Sequence, residues 1–486
     1  MRMDNLRSSE TIQGNILAPF NKPVQIFLFL NFGNRQEHAR NWLAELVDSK
    51  LVATTKDVVE HDRNRKDTPE GQTPEKRTWV GVSLTSSALV TLHPELAADL
   101  VAYDAFWRGA LADRSYGGRR TASPALVGDQ LASDPLGWAI GGPCQPPVDA
   151  LLTIAADDAG RLHHRATKER ERAEGHHLEV LQVRPDNGRM TLGQHGRRLP
   201  GGNGGVEHFG FRDGVSQPGI RGFTEATRRD DRLEVAGDAG TPVIAAGEFV
   251  LGYEREGGSY PEAPRPEPPP WMRDGSFQVF LRLNQNVHGW RTQMDRLRAL
   301  SKDEVDVAAK AIGRAQDGTP LAPGGDVERP NDFTYDEDPN GEDTPRFAHI
   351  RKMNPRSDAP LQGRTHRLLR RGLPFGPPMP ENAPADKVER GLLFNAFMAS
   401  IEDQFEFVQR NWASNPISLP AGPVVADGPD PVAGASDAPC ILRRRDQGPV
   451  ELPLGRFVRT TGAVYAFAPS LPTLRRLGGA APLLDR

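Results

Sequence analysis

Val24–Asn31 reads VQIFLFLN. It follows a Lys-Pro turn and is apolar without alternation, the pattern of a strand buried on both faces. Directly behind it the period changes. Over Glu37–Val47 the residues Trp42, Leu43 and Leu46 share one face of a helix. Thr78–Thr85, TWVGVSLT, is a second strand, and Ser86 is placed to cap a short helix after it. Val148–Ala155, VDALLTIA, and Leu178–Val183, LEVLQV, are two more strands; Asp158–Ala173 between them is charged and helix-compatible. The chain thus runs strand–helix–strand, then a Gly-, Pro- and Asp-rich interlude over Leu92–Pro147, then strand–helix–strand. This order predicts an α+β sheet with helices packed on one face.

Pro200–Gly205, PGGNGG, is the strongest punctuation in the chain and sets an expected boundary between domains 1–203 and 204–486. The rhythm then repeats. Glu248–Arg255 and Ser276–Leu283 read as strands, Gln285–Leu300 and Lys302–Arg314 as helices, and Gly391–Ala399 as a strand. Ile401–Trp412 reads as an amphipathic helix and Phe457–Pro469 as a last strand. Two related domains are expected, without a residue-level repeat. Tyr260–Pro270 and Asp317–Asp343 read as surface excursions, the first partly polyproline II.

The 486 residues allow roughly two to four domains. Gly (49) and Pro (43) exceed the usual share and predict a loop-rich protein. Two cysteines, Cys144 and Cys440, are too few for iron–sulfur clusters, cysteine-built zinc sites or a disulfide framework. Twelve histidines remain as candidate metal or haem ligands. A net charge of −4 argues against bulk nucleic-acid binding. No run of about 18 apolar residues marks a membrane helix. The N-terminus carries no signal-peptide pattern, which makes the cytoplasm the expected location. The C-terminal LPTLRRLGGAAPLLDR reads as a surface tail.

Two motifs have plainer readings than chemistry. DEDPNGED, at Asp336–Asp343, opens like a calcium loop, but the twelfth position is Phe347 rather than Glu, so an acidic turn is expected. His163–His164 and His176–His177 are neighbours that diverge on a helix or strand and cannot chelate one ion unaided.

Glu207–Ile220 reads EHFGFRDGVSQPGI. Its G-x-x-D-G turn, Gly210 to Gly214, brings backbone close and projects the Asp213 carboxylate. The whole block resembles the signature of the dye-decolourising peroxidases, a haem enzyme family. AHIRKMNPR at Ala348–Arg356 and HRLLRRGLPFG at His366–Gly376 resemble the same family. So do IQGNILAPFNKP at Ile12–Pro23 and GLLFNAFMASIEDQFEFVQRNW at 391–412. The five blocks occur in the family's order and span nearly the whole chain.

The resemblance implies a pair of ferredoxin-like α+β domains, with one haem b per chain, mainly in the second. It implies that His349 is the iron ligand, with His366 the nearest rival. Asp213 matches the family's distal aspartate, which moves a proton on bound H2O2, a role that burial favours by lifting a carboxylate's pKa. Arg370 matches the distal arginine, a fixed cation for the charge that develops as the O–O bond breaks; Arg371 is the runner-up. Leu392 and Phe394, two apart on a strand, resemble the apolar wall of the haem pocket. Asp430 resembles the acid that hydrogen-bonds the ligating imidazole, with Glu402 and Glu406 as alternatives. Arg351 and Arg356 are candidates for haem propionates.

The implied activity is reduction of H2O2 with one-electron oxidation of dyes, phenols or other organic donors. Surface Trp or Tyr residues are expected to relay electrons from bulky donors. The alternative is a haem-binding or haem-handling protein with incidental peroxidase activity. A hydrolase built on Asp213 has no second carboxylate at a useful spacing. No nucleic acid or membrane partner is expected, and the chain is expected to be a monomer or homo-oligomer. One departure stands out: some relatives carry Asn two residues after the distal arginine, where this chain has Gly372.

Overall fold

One strand order is used twice. The computed structural model describes residues 5–111, 113–116, 119–122, 135–183, 190–200, 205–229, 232–257, 266–300, 306–417, 426–436, 438–445 and 447–483. In the first half, β1 (Val24–Asn31), α1 (Gln36–Asp48), β2 (Trp79–Leu84), β3 (Ala150–Ala156), α2 (Ala159–Gly175) and β4 (Glu179–Val180) follow in sequence. Their spatial order is β2-β3-β1-β4, all antiparallel. After β5 (Gln194–Arg197) the second half supplies β6 (Ser276–Gln285), α3 (Val287–Leu300) and α4 (His349–Met353). Strands β7 (Leu369–Arg370), β8 (Leu373–Phe375), β9 (Gly391–Met398) and β10 (Val458–Ala468) follow, then α5 (Leu471–Leu477). Here the order is β7-β9-β6-β10, the same ferredoxin-like arrangement.

The halves join where Leu84 of β2 pairs with Phe467 of β10. At the far edges β5 adds to β1 and β8 adds to β9. A side chain built at Gly196 of β5 would meet Leu393 at 3.0 Å and Leu373 at 3.4 Å, so the outer edges also approach. The sheet therefore encloses an apolar interior, and this explains the unbroken run in β1. Phe27 and Phe29 point inward and meet Phe280 of β6 at centroid distances of 4.8 and 5.4 Å. Ile26, Leu28 and Leu30 point outward into the layer containing Trp42, Leu43 and Leu46 of α1. Among the described residues no helix is long and apolar enough to cross a membrane.

Several expectations need correction. Glu248–Arg255 is not a strand. Ala246–Glu248 forms a tight helical turn, and Phe249, Val250 and Leu251 are buried, the first two beside Ile12 and Ile16. The run is apolar because it plugs a core, and Leu251 N–H reaches only the Gly275 carbonyl. LEVLQV is split: Glu179–Val180 pairs with β1, and Gln182–Val183 pairs with Thr191–Leu192. Thr85, not Ser86, caps the short helix, accepting from Ala88 N–H. The helix expected over 302–314 is Val307–Ile312, ended by Gly313, and 301–305 lie outside the described residues. The same holds for 201–204 of PGGNGG, where the domain boundary was expected, and for 260–265 of the proline-rich stretch. DEDPNGED is the acidic turn that was expected: its Asp338 carboxylate faces inward and accepts from the N–H groups of Glu342, Asp343 and Thr344.

Phe280 is the ring both halves share, so its removal should be felt across the sheet. Phe280→Ala should lower unfolding free energy in urea by about 3–5 kcal/mol, and Phe280→Leu by less than about 1.5 kcal/mol. Equal, small losses would show that the two halves do not depend on this contact.

Candidate active site

On the outer face of the second half-sheet, Leu281 of β6 pairs across with Phe394 of β9, and Leu283 with Leu392. Because side chains alternate along a strand, these four point the same way. They form the apolar wall of a cavity of about 290 Å³. Into this cavity converge His349, Asp213, Arg370 and Arg356 from distant parts of the sequence.

His349 opens the short helix α4. Its Nδ1 lies 2.7 Å from Oδ2 of Asp430, whose side chain is fully buried. The other oxygen of Asp430 accepts from the N–H groups of Val432 and Ala433, at 2.8 and 3.0 Å. The carboxylate is thus held as an acceptor, and Nδ1 carries the proton toward it. That leaves Nε2 with its lone pair, the form in which imidazole binds metals. Burial disfavours protonation of His349, but the Asp430 charge and hydrogen bond outweigh it and raise its pKa. Glu402 and Glu406 are engaged elsewhere: Glu402 accepts from Ala105 N–H, and Glu406 from the Tyr465 hydroxyl at 3.1 Å.

Asp213 sits on a turn that glycine makes possible, with Gly210 at φ +95° and Gly214 at φ +73°. Its Oδ1 accepts from Gly214 N–H at 2.6 Å and lies 3.4 Å from a guanidinium nitrogen of Arg370. Arg370 is fixed twice. Its guanidinium donates to the Ser216 carbonyl at 2.9 Å, and its backbone exchanges two hydrogen bonds with the Gln217 amide, at 3.0 and 3.3 Å. The neighbouring Arg371 points the other way and donates to the carbonyls of Asn15, Ile16 and Leu17. The block around Ile12–Pro23 is therefore strapped behind the strand that carries Arg370. A Cβ at Gly372 would meet the Leu393 carbonyl at 2.7 Å, so a side chain such as Asn does not fit here without movement.

Two expected contacts are placed otherwise. Arg351 does not line the cavity. It is buried between the carboxylates of Asp358 and Asp338, donates to the Thr344 carbonyl and stacks on Tyr335. His366 lines the cavity, but its Nδ1 is bound to the Asp403 carbonyl and its ring stacks on Phe407 at 3.8 Å. Arg356 does reach the cavity, held by the carbonyls of Asn331 and Phe333.

The sequence reading missed Arg367 and Glu207. Arg367 is only 8% exposed and lines the cavity; its carbonyl accepts from the Gln404 amide, while its guanidinium has no hydrogen-bond or ion-pair partner among the described residues. Burial, then the positive charges of Arg356, Arg370 and Arg364, push its pKa down to about 9. An unpartnered buried guanidinium is costly unless a carboxylate of a bound group completes it. A haem propionate has that chemistry, and the imidazole Nε2, the apolar wall and these cations together suit haem. The second residue, Glu207, opens the Asp213 block. Its carboxylate accepts from Phe209 N–H, Phe211 N–H and the Gln285 amide, which ties the turn to the end of β6.

Comparison with known proteins points one way. The family model for the C-terminal part of Dyp-type peroxidases matches residues 262–418. The multifunctional dye peroxidase DyP2 of an Amycolatopsis species is 32% identical over 499 aligned positions, covering 96% of this chain and 95% of that protein. A solved ancestral D-type dye decolorizing peroxidase superposes with a TM-score of 0.71 at 25% identity, covering 97% of this chain and 98% of that one. The DyP-type peroxidase of Anabaena superposes with a TM-score of 0.74 at 24% identity, covering 98% and 95%, and speaks to the fold.

Burial raises Glu207 from 4.5 to about 7, against its three hydrogen bonds and with help from Asp213. An acid raised in the folded state binds its proton more tightly there than in the unfolded chain, so its stabilising share is lost as pH rises. The stability of the wild type relative to Glu207→Gln should therefore fall between pH 4.5 and about 7. Urea unfolding across that range measures it; a flat difference would remove the burial argument.

Proposed function

The chain belongs to the dye-decolourising peroxidase family, haem enzymes that reduce peroxide and oxidise organic donors, and on that premise we propose that His349 is the iron ligand and that Asp213 and Arg370 act on the peroxide. The full-length relative is named a dye peroxidase, so the haem-handling alternative is not favoured. Each H2O2 takes up two electrons and two protons to give two waters, and two donor molecules supply one electron each. Bound haem supplies the two electrons at once and recovers them singly.

The residues of the chain do the rest. His349 presents Nε2 while Asp430 holds Nδ1–H, which makes the imidazole a stronger electron donor. Asp213 accepts the proton from the near oxygen of H2O2 and delivers it to the far oxygen, which leaves as water. Arg370 supplies a fixed positive charge beside that exchange, already oriented by Ser216 and Gln217. The wall of Leu281, Leu283, Leu392 and Phe394 keeps water from the reacting atoms. Arg356 and Arg367 take the propionates. The observation that carries this reading is the His349–Asp430 pair opening into the cavity that also receives Asp213 and Arg370.

Haem-loaded wild type should show a Soret band that shifts on mixing with H2O2. His349→Ala should bind haem weakly or with an altered spectrum. In stopped flow, Asp213→Asn should slow the peroxide step by on the order of 10²–10⁴. Arg370→Gln should slow it by a different factor, since it removes charge rather than a proton carrier. Normal haem binding by His349→Ala overturns the ligand, and wild-type rates in both other variants overturn their roles.

A further inference from the structure

One buried lysine shares the helix of His349 without entering the cavity. Lys352 is 3% exposed and is not among the residues that line the cavity. It stands three positions after His349 on α4, and residues three apart share a face of a helix. Its ammonium donates to the carbonyls of Asn415 at 2.7 Å and Ile417 at 3.3 Å. The segment with those carbonyls also holds the Asp430 loop. Asp430 N–H donates to the Ala413 carbonyl at 2.8 Å and Gly428 N–H to the Pro416 carbonyl at 3.0 Å. Ala435 N–H donates to the Ser414 hydroxyl at 3.0 Å. Two side chains therefore attach α4 to one unit: His349 through Asp430, and Lys352 through Asn415 and Ile417. Arg351 is engaged elsewhere, with Asp338 and Asp358.

The carbonyls that orient Lys352 do not neutralise it. Asp427 lies in the same loop as Asp430, but it accepts two hydrogen bonds from the Arg443 guanidinium, at 3.0 and 2.7 Å. Cys440 donates its thiol to the Pro429 carbonyl at 3.5 Å; burial pushes that thiol up to about 12, so it stays neutral. Burial pushes Lys352 down to about 8, and the Asp430 charge is the largest influence holding it up. Asp430 has the matching deficit. Its side chain is fully buried, and among the described residues His349 is the only basic side chain in ion-pair contact with it. An imidazole that offers Nε2 to a metal is neutral, so the carboxylate still lacks a countercharge, and a buried charge without one is costly.

Resting on the peroxidase reading, we propose that Lys352 is a positioning residue for the iron ligand: its ammonium is the countercharge of Asp430 and limits how strongly that carboxylate pulls on His349 Nδ1–H. A carboxylate stripped of this countercharge accepts more strongly. The imidazole then gains anionic character and favours ferric over ferrous iron.

The test uses haem-loaded full-length protein and two variants. Lys352→Gln keeps an N–H donor for the two carbonyls and removes the charge; Lys352→Arg keeps the charge. At a pH well below the pKa of the lysine, Lys352→Gln should raise the iron–histidine stretching frequency of the ferrous form and lower the ferric/ferrous midpoint potential. Lys352→Arg should leave both near wild type. In an Asp430→Asn background Lys352→Gln should move neither, because the ammonium then has no carboxylate to balance. Unchanged frequency and potential in Lys352→Gln overturn the proposal, as does an equal shift with and without Asp430. A lower frequency in Lys352→Gln shows a ring that has merely lost a tether, and overturns it too. A double-mutant cycle in urea, Lys352→Gln against Asp430→Asn, does not depend on which residue binds iron. The loss of unfolding stability in the double variant should be smaller than the sum of the single losses, and additive losses overturn the pairing. Should Lys352→Gln not fold alone, rescue by Asp430→Asn supports the pairing and no rescue overturns it. If the wild type shows no iron–histidine mode, the ligand reading falls instead, and the cycle decides whether Lys352 and Asp430 are paired.

Discussion

The hydrogen bond between His349 Nδ1 and Asp430 fixes the orientation of the imidazole that faces the cavity. Asp430 is buried and held by two backbone N–H groups, so it can only accept, and it settles which ring nitrogen carries the proton. An imidazole with its proton on the far side presents a lone pair to the cavity. The helix that starts at His349 is short, and Ala348 caps it without a side-chain bond, so little in its own turn would orient the ring. The orientation comes from a carboxylate 81 positions away in sequence. That separation makes the site a product of the fold rather than of a local motif.

The double sheet serves the same end. Its inner face is closed by Phe27, Phe29 and Phe280, which stiffens β6. The outer face of β6 and β9 then offers Leu281, Leu283, Leu392 and Phe394 as one surface. A shift of one residue in this pairing would exchange these side chains with the interior set and destroy the wall. Behind Arg370 the Arg371 strap ties the second half to the N-terminal segment near Asn15–Leu17. Adjacent arginines thus divide the work: Arg370 faces the cavity, and Arg371 fixes the strand.

Much of this was legible in the sequence where a period exists. The apolar run of β1, the stripe of Trp42, Leu43 and Leu46, and the shared face of Leu392 and Phe394 all follow from strand and helix geometry. The Asp213 turn was legible from its glycines. What failed had no period to read. Phe249–Leu251 is apolar like a strand, yet it is a core plug, and a short apolar run does not distinguish the two. Arg351 was misplaced although helix geometry argued against it: two residues on from His349 is about 200° around the helix, away from the cavity. Arg367 gave no signal, because three arginines lie close together in HRLLRRG and only packing shows which stays unpartnered. Glu207 could have been found as the acid that opens the block and has N–H groups of the turn to satisfy. The pairing of Asp430 with His349 rested on the family resemblance alone, since residues 426–436 form an irregular loop.

The central claim is that Asp430 sets the donor strength of His349. Resonance Raman spectroscopy of the ferrous haem-loaded protein reads this through the iron–histidine stretching frequency. The account predicts a high frequency in the wild type and a clear fall in Asp430→Asn, whose amide is a weaker partner for Nδ1–H. The same frequency in both proteins, or no iron–histidine mode in the wild type, would contradict it.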